Sequence, residues 1–155
     1  ADLQVAFTRH DSREAKSPLK FSLPTGAQKP GFEPMTDEIV VEKDVNSGFI
    51  GTSLEVQLRR AEISRLVIVG FFTNFCVETT TRMSGNLGFD TYLVDDCCAT
   101  TNRVGPDGID REPELVHAMT VGNLHGEFCT AVQTNDALGL VASDNVALSR
   151  CQGNE

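Results

Sequence analysis

The sequence has little positive charge. Thirteen Lys and Arg stand against 22 Asp and Glu, a formal net charge of −9. Nucleic acid and anionic membrane surfaces need basic patches, so neither is an expected partner. No apolar run approaches the roughly 20 residues of a membrane-spanning helix. No basic-plus-apolar leader is legible at the start, which is Ala1 rather than Met. No CxxC pair occurs, so a structural zinc site is not expected. The five cysteines, Cys76, Cys97, Cys98, Cys129 and Cys151, include one adjacent pair and form no regular framework. An odd count without regular spacing does not read as a disulfide scaffold. It points to a reducing, cytoplasmic compartment. No internal repeat or low-complexity tract stands out.

What remains is a chain of 155 residues, 40% apolar and 23% charged. That suits one globular domain spanning 1–155. Leu3 to Thr8 (LQVAFT) and Glu38 to Lys43 (EIVVEK) read as strands. Between them Pro18, Pro24, Pro30 and Pro34 mark a long loop, and long loops inside compact domains are usually functional. Thr52-Ser-Leu-Glu55 is a capping box, predicting a helix to about Glu62. Arg65 to Phe72 (RLVIVGFF) is nearly continuous apolar sequence, as in a parallel strand covered on both faces. A helix should follow from about Phe75 to Leu87, ended by Gly88. Asp90 to Val94 is the next strand, and Cys97 to Asp110 a loop containing the turn signal GPDG. Glu112-Pro113 opens a helix whose inner face would carry Leu115, Val116, Met119 and Leu124. Thr130 to Thr134 is a last short strand. Asn135 would cap a short helix, and residues 143–155 read as a loose polar tail.

Alternating strands and helices imply βαβ units with a parallel sheet and right-handed crossovers. Ligands in such open sheets bind beyond the carboxyl ends of the strands. Cys76 falls there, in the first turn of the helix after the third strand. Free backbone N–H groups in a first helical turn stabilise a thiolate and supply oxyanion donors. Lys43 ends the second strand at the same sheet edge, where an ammonium would favour the thiolate further. Position alone leaves both open. Free cysteine is commonly a small buried hydrophobe, and a strand-end lysine is commonly solvated.

The segments VEKDVNSGFIGTSLEVQLR, VIVGFFTNFCVETTTRMSGNLGFDTYLVDD and ELVHAMTVGNLHGEF lie within residues 41–128. On them the chain resembles the isochorismatase-like cysteine hydrolases, which include nicotinamidases and N-carbamoylsarcosine amidohydrolase. The resemblance runs from about Leu3 to Leu140. It implies a Rossmann-like, three-layer α/β/α fold around a six-stranded parallel sheet. It implies hydrolysis of a carbon–nitrogen bond in a small molecule through a thioester, with Cys76 as nucleophile and Lys43 as the triad lysine. A cis peptide is implied between Phe71 and Phe72, turning the N–H groups of Phe72 and Cys76 into an oxyanion hole. His10, Ser47, Phe49, Asn74 and Phe75 fall in segments that border the family pocket, and Thr52 belongs to the segment after the lysine. The nicotinamidase metal set is not matched, since only His10 stands in that region; no metal and no cofactor are expected. The resemblance also implies a homo-oligomer.

One feature departs from the family pattern. The triad aspartate ends the first family strand, within Asp-x-Gln. Asp2-Leu3-Gln4 matches the letters, but VAFTRHDS follows at once and reads as the second family strand. The expectation is therefore that the first strand and helix are missing and that the sheet carries a gap of unpaired backbone groups. A non-catalytic member that binds a small molecule or assembles with partners is the alternative to the amide hydrolase. The bland readings assign Cys97, Cys98 and Cys129 to packing, Cys151 to an inert tail, His117 and His125 to packing, capping or subunit contact, and Glu78 to an exposed pair with Arg82.

Overall fold

A computed structural model describes residues 3–140. Asp2, Cys151 and the tail 143–155 lie outside the described residues. The first strand, β1, is Ala6–His10, and it pairs in parallel with β2, Ile39–Lys43, from Ala6 opposite Ile39 to His10 opposite Lys43. The β1 strand starts later than the apolar run suggested, and the Gln4 side chain donates to the carbonyls of Val5 and Asp37 just before it. The proline-bearing connection between β1 and β2 holds only a 3-10 turn, Pro24–Gly26.

Helix α1 is Leu54–Arg60. Its capping box does not close. The Thr52 hydroxyl accepts from Leu54 N–H and donates to the Gly48 carbonyl, while Glu55 turns away to Arg59. Strand β3, Arg65–Phe71, leads into a π-helical turn, Thr73–Val77, and then α2, Glu78–Asn86. Gly88 ends that helix in the left-handed region, φ +80°, where only glycine is free of a Cβ penalty. Gly85 serves α2 differently: a Cβ there would sit 2.5 Å from the Phe128 carbonyl oxygen, so its absence lets the backbones approach.

Strand β4 is Asp90–Ala99, longer than its apolar core predicts. It pairs with β3 through a bulge, Ile68 opposite Leu93 but Gly70 opposite Cys98. Cys97 and Cys98 are therefore strand residues and not loop residues. The GPDG turn closes a small antiparallel hairpin of β5, Arg103–Val104, and β6, Asp110–Arg111. Helix α3 is Pro113–Leu124 and β7 is Thr130–Val132, parallel to β4. Residues 134–140 are helical, so Asn135 lies inside that helix; Thr134 at its start donates N–H and hydroxyl to Asp96.

The parallel strands form two sheets, β1-β2 and β3-β4-β7, with no strand hydrogen-bonded between them among the described residues. The parallel sheet is thus divided, in keeping with the expected gap in the six-stranded family sheet. Packing joins the parts instead. Val41 of β2 and Leu54 and Leu58 of α1 share one core cluster with Phe89 and with Leu66 of β3. A second cluster gathers Val77, Leu93, Leu124 and Cys129, with Ile68 of β3 against it. Leu66 and Ile68 point to one face of β3, since side chains alternate along a strand. The opposite face is open: Val67, Val69 and Phe71 are 43%, 56% and 70% exposed. The expectation of β3 covered on both faces fails there. Helix α3 buries Leu124 and half-buries Val116, as its apolar pattern predicts, but Leu115 and Met119 are exposed and Thr120 is buried in their stead. No helix among the described residues is long and apolar enough to cross a membrane.

Candidate active site

Alternation along β2 puts Ile39, Val41 and Lys43 on one side, and Lys43 is only 4% exposed. A buried ammonium needs partners for each of its three N–H donors. It finds them: Nζ lies 3.0 Å from the Val45 carbonyl, 3.1 Å from His10 Nδ1 and 3.2 Å from Cys76 Sγ. The solvated lysine is ruled out by this burial. No carboxylate pairs with Lys43 among the described residues. The neighbouring Asp44 is committed elsewhere, its two oxygens 2.7 and 2.9 Å from the Arg13 guanidinium. That hydrogen-bonded guanidinium holds the Asp44 carboxyl below the usual carboxylate range.

Cys76 sits half-buried in the π-helical turn, not in an α-helical first turn. The Phe72 carbonyl accepts from Phe75 N–H and Val77 N–H, bracketing the Cys76 amide. The peptide between Phe71 and Phe72 is cis, as the resemblance implies. The sulfur lies 4.0 Å from Asn46 Oδ1 and belongs to neither core cluster. Burial pushes the Cys98 and Cys129 thiols up to about 11. Cys97 is exposed, against the packing role expected of it, with Sγ 3.1 Å from the Thr134 hydroxyl.

His10 ends β1 directly opposite Lys43. Burial first, and the Lys43 ammonium second, push its imidazolium pKa below the ordinary 6.5. A neutral ring that accepts at Nδ1 from Lys43 carries its proton on Nε2. The 3.3 Å approach of Nδ1 to the Val45 carbonyl is then a contact without a proton, since Lys43 already donates there. The sign of the pH effect follows. As pH falls below about 6.5, the unfolded chain takes up a proton at His10 before the folded chain does, so folding stability drops through that window. Thermal melts should therefore decline less steeply between about pH 6.5 and 5.5 for His10→Gln than for the wild type. Parallel declines would remove His10 from the Lys43 cluster.

The remaining predicted residues divide. Asn74 Oδ1 accepts from the Thr100 hydroxyl, and the Phe75 ring lies beneath the Arg103 guanidinium at 4.7 Å, both beside Cys76 in the turn. Ser47 is 1% exposed, its hydroxyl accepting from Phe49 N–H. The Phe49 ring stacks on Phe89 at 6.0 Å and packs against the first core cluster. His125 accepts from Ala131 N–H, a local capping role. Glu78 pairs with Arg82 at 2.7 Å. His117 is the surprise. Its Nε2 lies 2.6 Å from Asp95 and its Nδ1 lies 2.9 Å from the Thr73 hydroxyl, in the same turn as Cys76. No local spacing signals this, because Thr73 and His117 are 44 residues apart. Among the described residues no group of three or more His, Cys, Asp and Glu side chains is placed to hold a metal ion.

Known proteins share both the fold and the sequence around this cluster. The Isochorismatase domain matches residues 1–134. The isochorismatase family protein YrdC of Bacillus subtilis is 39% identical over 134 residues, covering 86% of this chain and 72% of that protein. The ureidoacrylate amidohydrolase RutB of Agrobacterium fabrum is 32% identical over 111 residues, 72% of this chain but 44% of RutB. The chain thus spans less than half of that relative's length. A solved member of the isochorismatase family from Chromobacterium violaceum superposes with a TM-score of 0.83 at 40% identity, over 89% of this chain and 72% of that one. With the domain matched across most of its length, the chain belongs to the isochorismatase family of hydrolases.

Proposed function

We propose that the protein hydrolyses a carbon–nitrogen bond in a small amide or ureido compound, through a thioester on Cys76. The observation that carries this reading is the 3.2 Å contact between a buried ammonium and a half-buried sulfur. Among the described residues, Cys76 is the one partner of Lys43 able to carry negative charge, and a buried cation is stabilised by an anion beside it. In this mechanism the Cys76 sulfur attacks the carbonyl carbon. The N–H groups of Phe72 and Cys76 face the oxygen as it becomes negative. The C–N bond breaks as the leaving nitrogen takes a proton from solvent; water then adds to the thioester, which releases the acid and the Cys76 thiolate while the water's other hydrogen returns to solvent as the proton. Lys43 holds the sulfur in place and screens its charge. The likeness to RutB, an amidohydrolase, supports the bond type.

The test is a panel of small primary amides and ureido acids, ureidoacrylate included, with ammonia release followed and acid-quenched samples weighed intact. The expected result is turnover of at least one compound, with an acyl adduct whose mass maps to the peptide containing Cys76. Absence of both turnover and adduct across the panel would leave the non-catalytic reading in possession.

A further inference from the structure

We propose that Thr73, His117 and Asp95 form a positioning relay that sets the turn carrying Cys76; the inference rests on Cys76 being the nucleophile. Asp95 projects from β4, His117 from α3, and Thr73 is the first residue of the π-helical turn. A carboxylate only accepts hydrogen bonds, so the 2.6 Å contact fixes the proton of His117 on Nε2, which donates to Asp95 Oδ1. In the neutral ring the other nitrogen is a lone pair, which accepts from the Thr73 hydroxyl at 2.9 Å. Gln133, just past β7, donates to the second Asp95 oxygen at 2.9 Å and keeps the carboxylate from rotating. The chain of bonds therefore runs from β4, the residue after β7 and helix α3 into the residue three positions before the sulfur.

The order hydroxyl, imidazole, carboxylate is that of a hydrolytic triad. Thr73 is nevertheless 0% exposed, and a hydroxyl sealed from solvent cannot reach a substrate carbonyl. Its role is to orient. A π-helical turn leaves its backbone less regularly bonded than an α-helical one, so an outside anchor at its first residue bears on where Cys76 points. Orientation errors near 1 Å at a reacting atom cost about 100-fold in rate.

The test compares Cys76 with Cys97 in the same molecule. Limiting iodoacetamide near neutral pH is followed by peptide mass analysis, alongside kcat and KM on any amide the wild type turns over. In Thr73→Val and His117→Phe, alkylation of Cys76 and kcat should fall about 10- to 100-fold. Labelling of Cys97 should keep its wild-type rate, and KM should move less than kcat. Thr73→Ser, which retains the hydroxyl, should restore both to within about threefold of the wild type. Asp95→Asn, which frees His117 to take the other tautomer, should behave like Thr73→Val and serves if the valine variant does not fold. Wild-type Cys76 labelling and kcat in folded Thr73→Val, or no rescue by serine, would overturn the relay. If the wild type turns over no amide, the functional proposal fails separately, and the alkylation ratio still decides whether Thr73 governs Cys76.

Discussion

Cys76→Ala should reduce amide turnover by about 10,000-fold or more, because removing a covalent nucleophile removes the bond-forming step itself. The small rate left over would come from the amide donors and from binding, which still polarise and hold a substrate. Folding should survive. The sulfur lies outside both core clusters and is only half-buried, so its loss opens no large cavity. Steady-state ammonia release at high enzyme concentration, with circular dichroism on the same sample, checks both halves. An alanine variant that keeps more than about one hundredth of the wild-type rate could not be using this thiol as its nucleophile.

Lys43→Met tests the other half of the pair. Methionine matches the lysine stem in length and removes only the charge and its donors. A hydrogen bond to a charged group is worth about 1.5–3 kcal/mol, which is about 10- to 150-fold in rate. Cys76 alkylation and amide turnover should fall by that much. Stability should fall by about 1–3 kcal/mol, because the Val45 carbonyl and His10 Nδ1 lose the donor that faces them, while the sulfur can take up a proton. The charge also depresses the imidazolium pKa of His10 from 3.1 Å away, so the variant should move that pKa back toward 6.5. Alkylation rates by mass, thermal melts and proton NMR of the His10 ring give the three readouts. A methionine variant that labels at the wild-type rate would show that the contact does nothing for the sulfur.

The parts of the fold that could be read in the sequence were those fixed by local pattern. The Ile39, Val41, Lys43 alternation, the apolar run into Gly70 and the cysteine beyond it place the strand ends correctly and set Cys76 past the carboxyl end of β3. What failed depended on neighbours from far along the chain. The apolar run of β3 says nothing about whether Val69 has a cover. Helix α3 was judged by its apolar residues alone, yet its inner face is completed by polar ones: Thr120, whose hydroxyl donates back to the Val116 carbonyl, and His117, whose ring is taken up by Thr73 and Asp95. The burial of Lys43 was equally invisible, because a lysine at a strand end is the same letter whether water or a thiol meets it. Cys97 is exposed for a related reason: β4 runs on past its apolar core through a bulge, and of the added residues Asp96, Cys97 and Ala99 face outward while Cys98 packs on the second cluster.

The division of the sheet has a mechanical consequence. Lys43 ends a strand of one sheet and Cys76 follows a strand of the other, and among the described residues no ladder of backbone bonds crosses between the two. Their separation is held by side-chain interdigitation around α1 and by single cross-links such as Gly48 N–H to the Thr80 hydroxyl. The 3.2 Å contact of Lys43 with Cys76 is another of these cross-links, so a substitution at either residue bears on how β2 packs against the turn after β3.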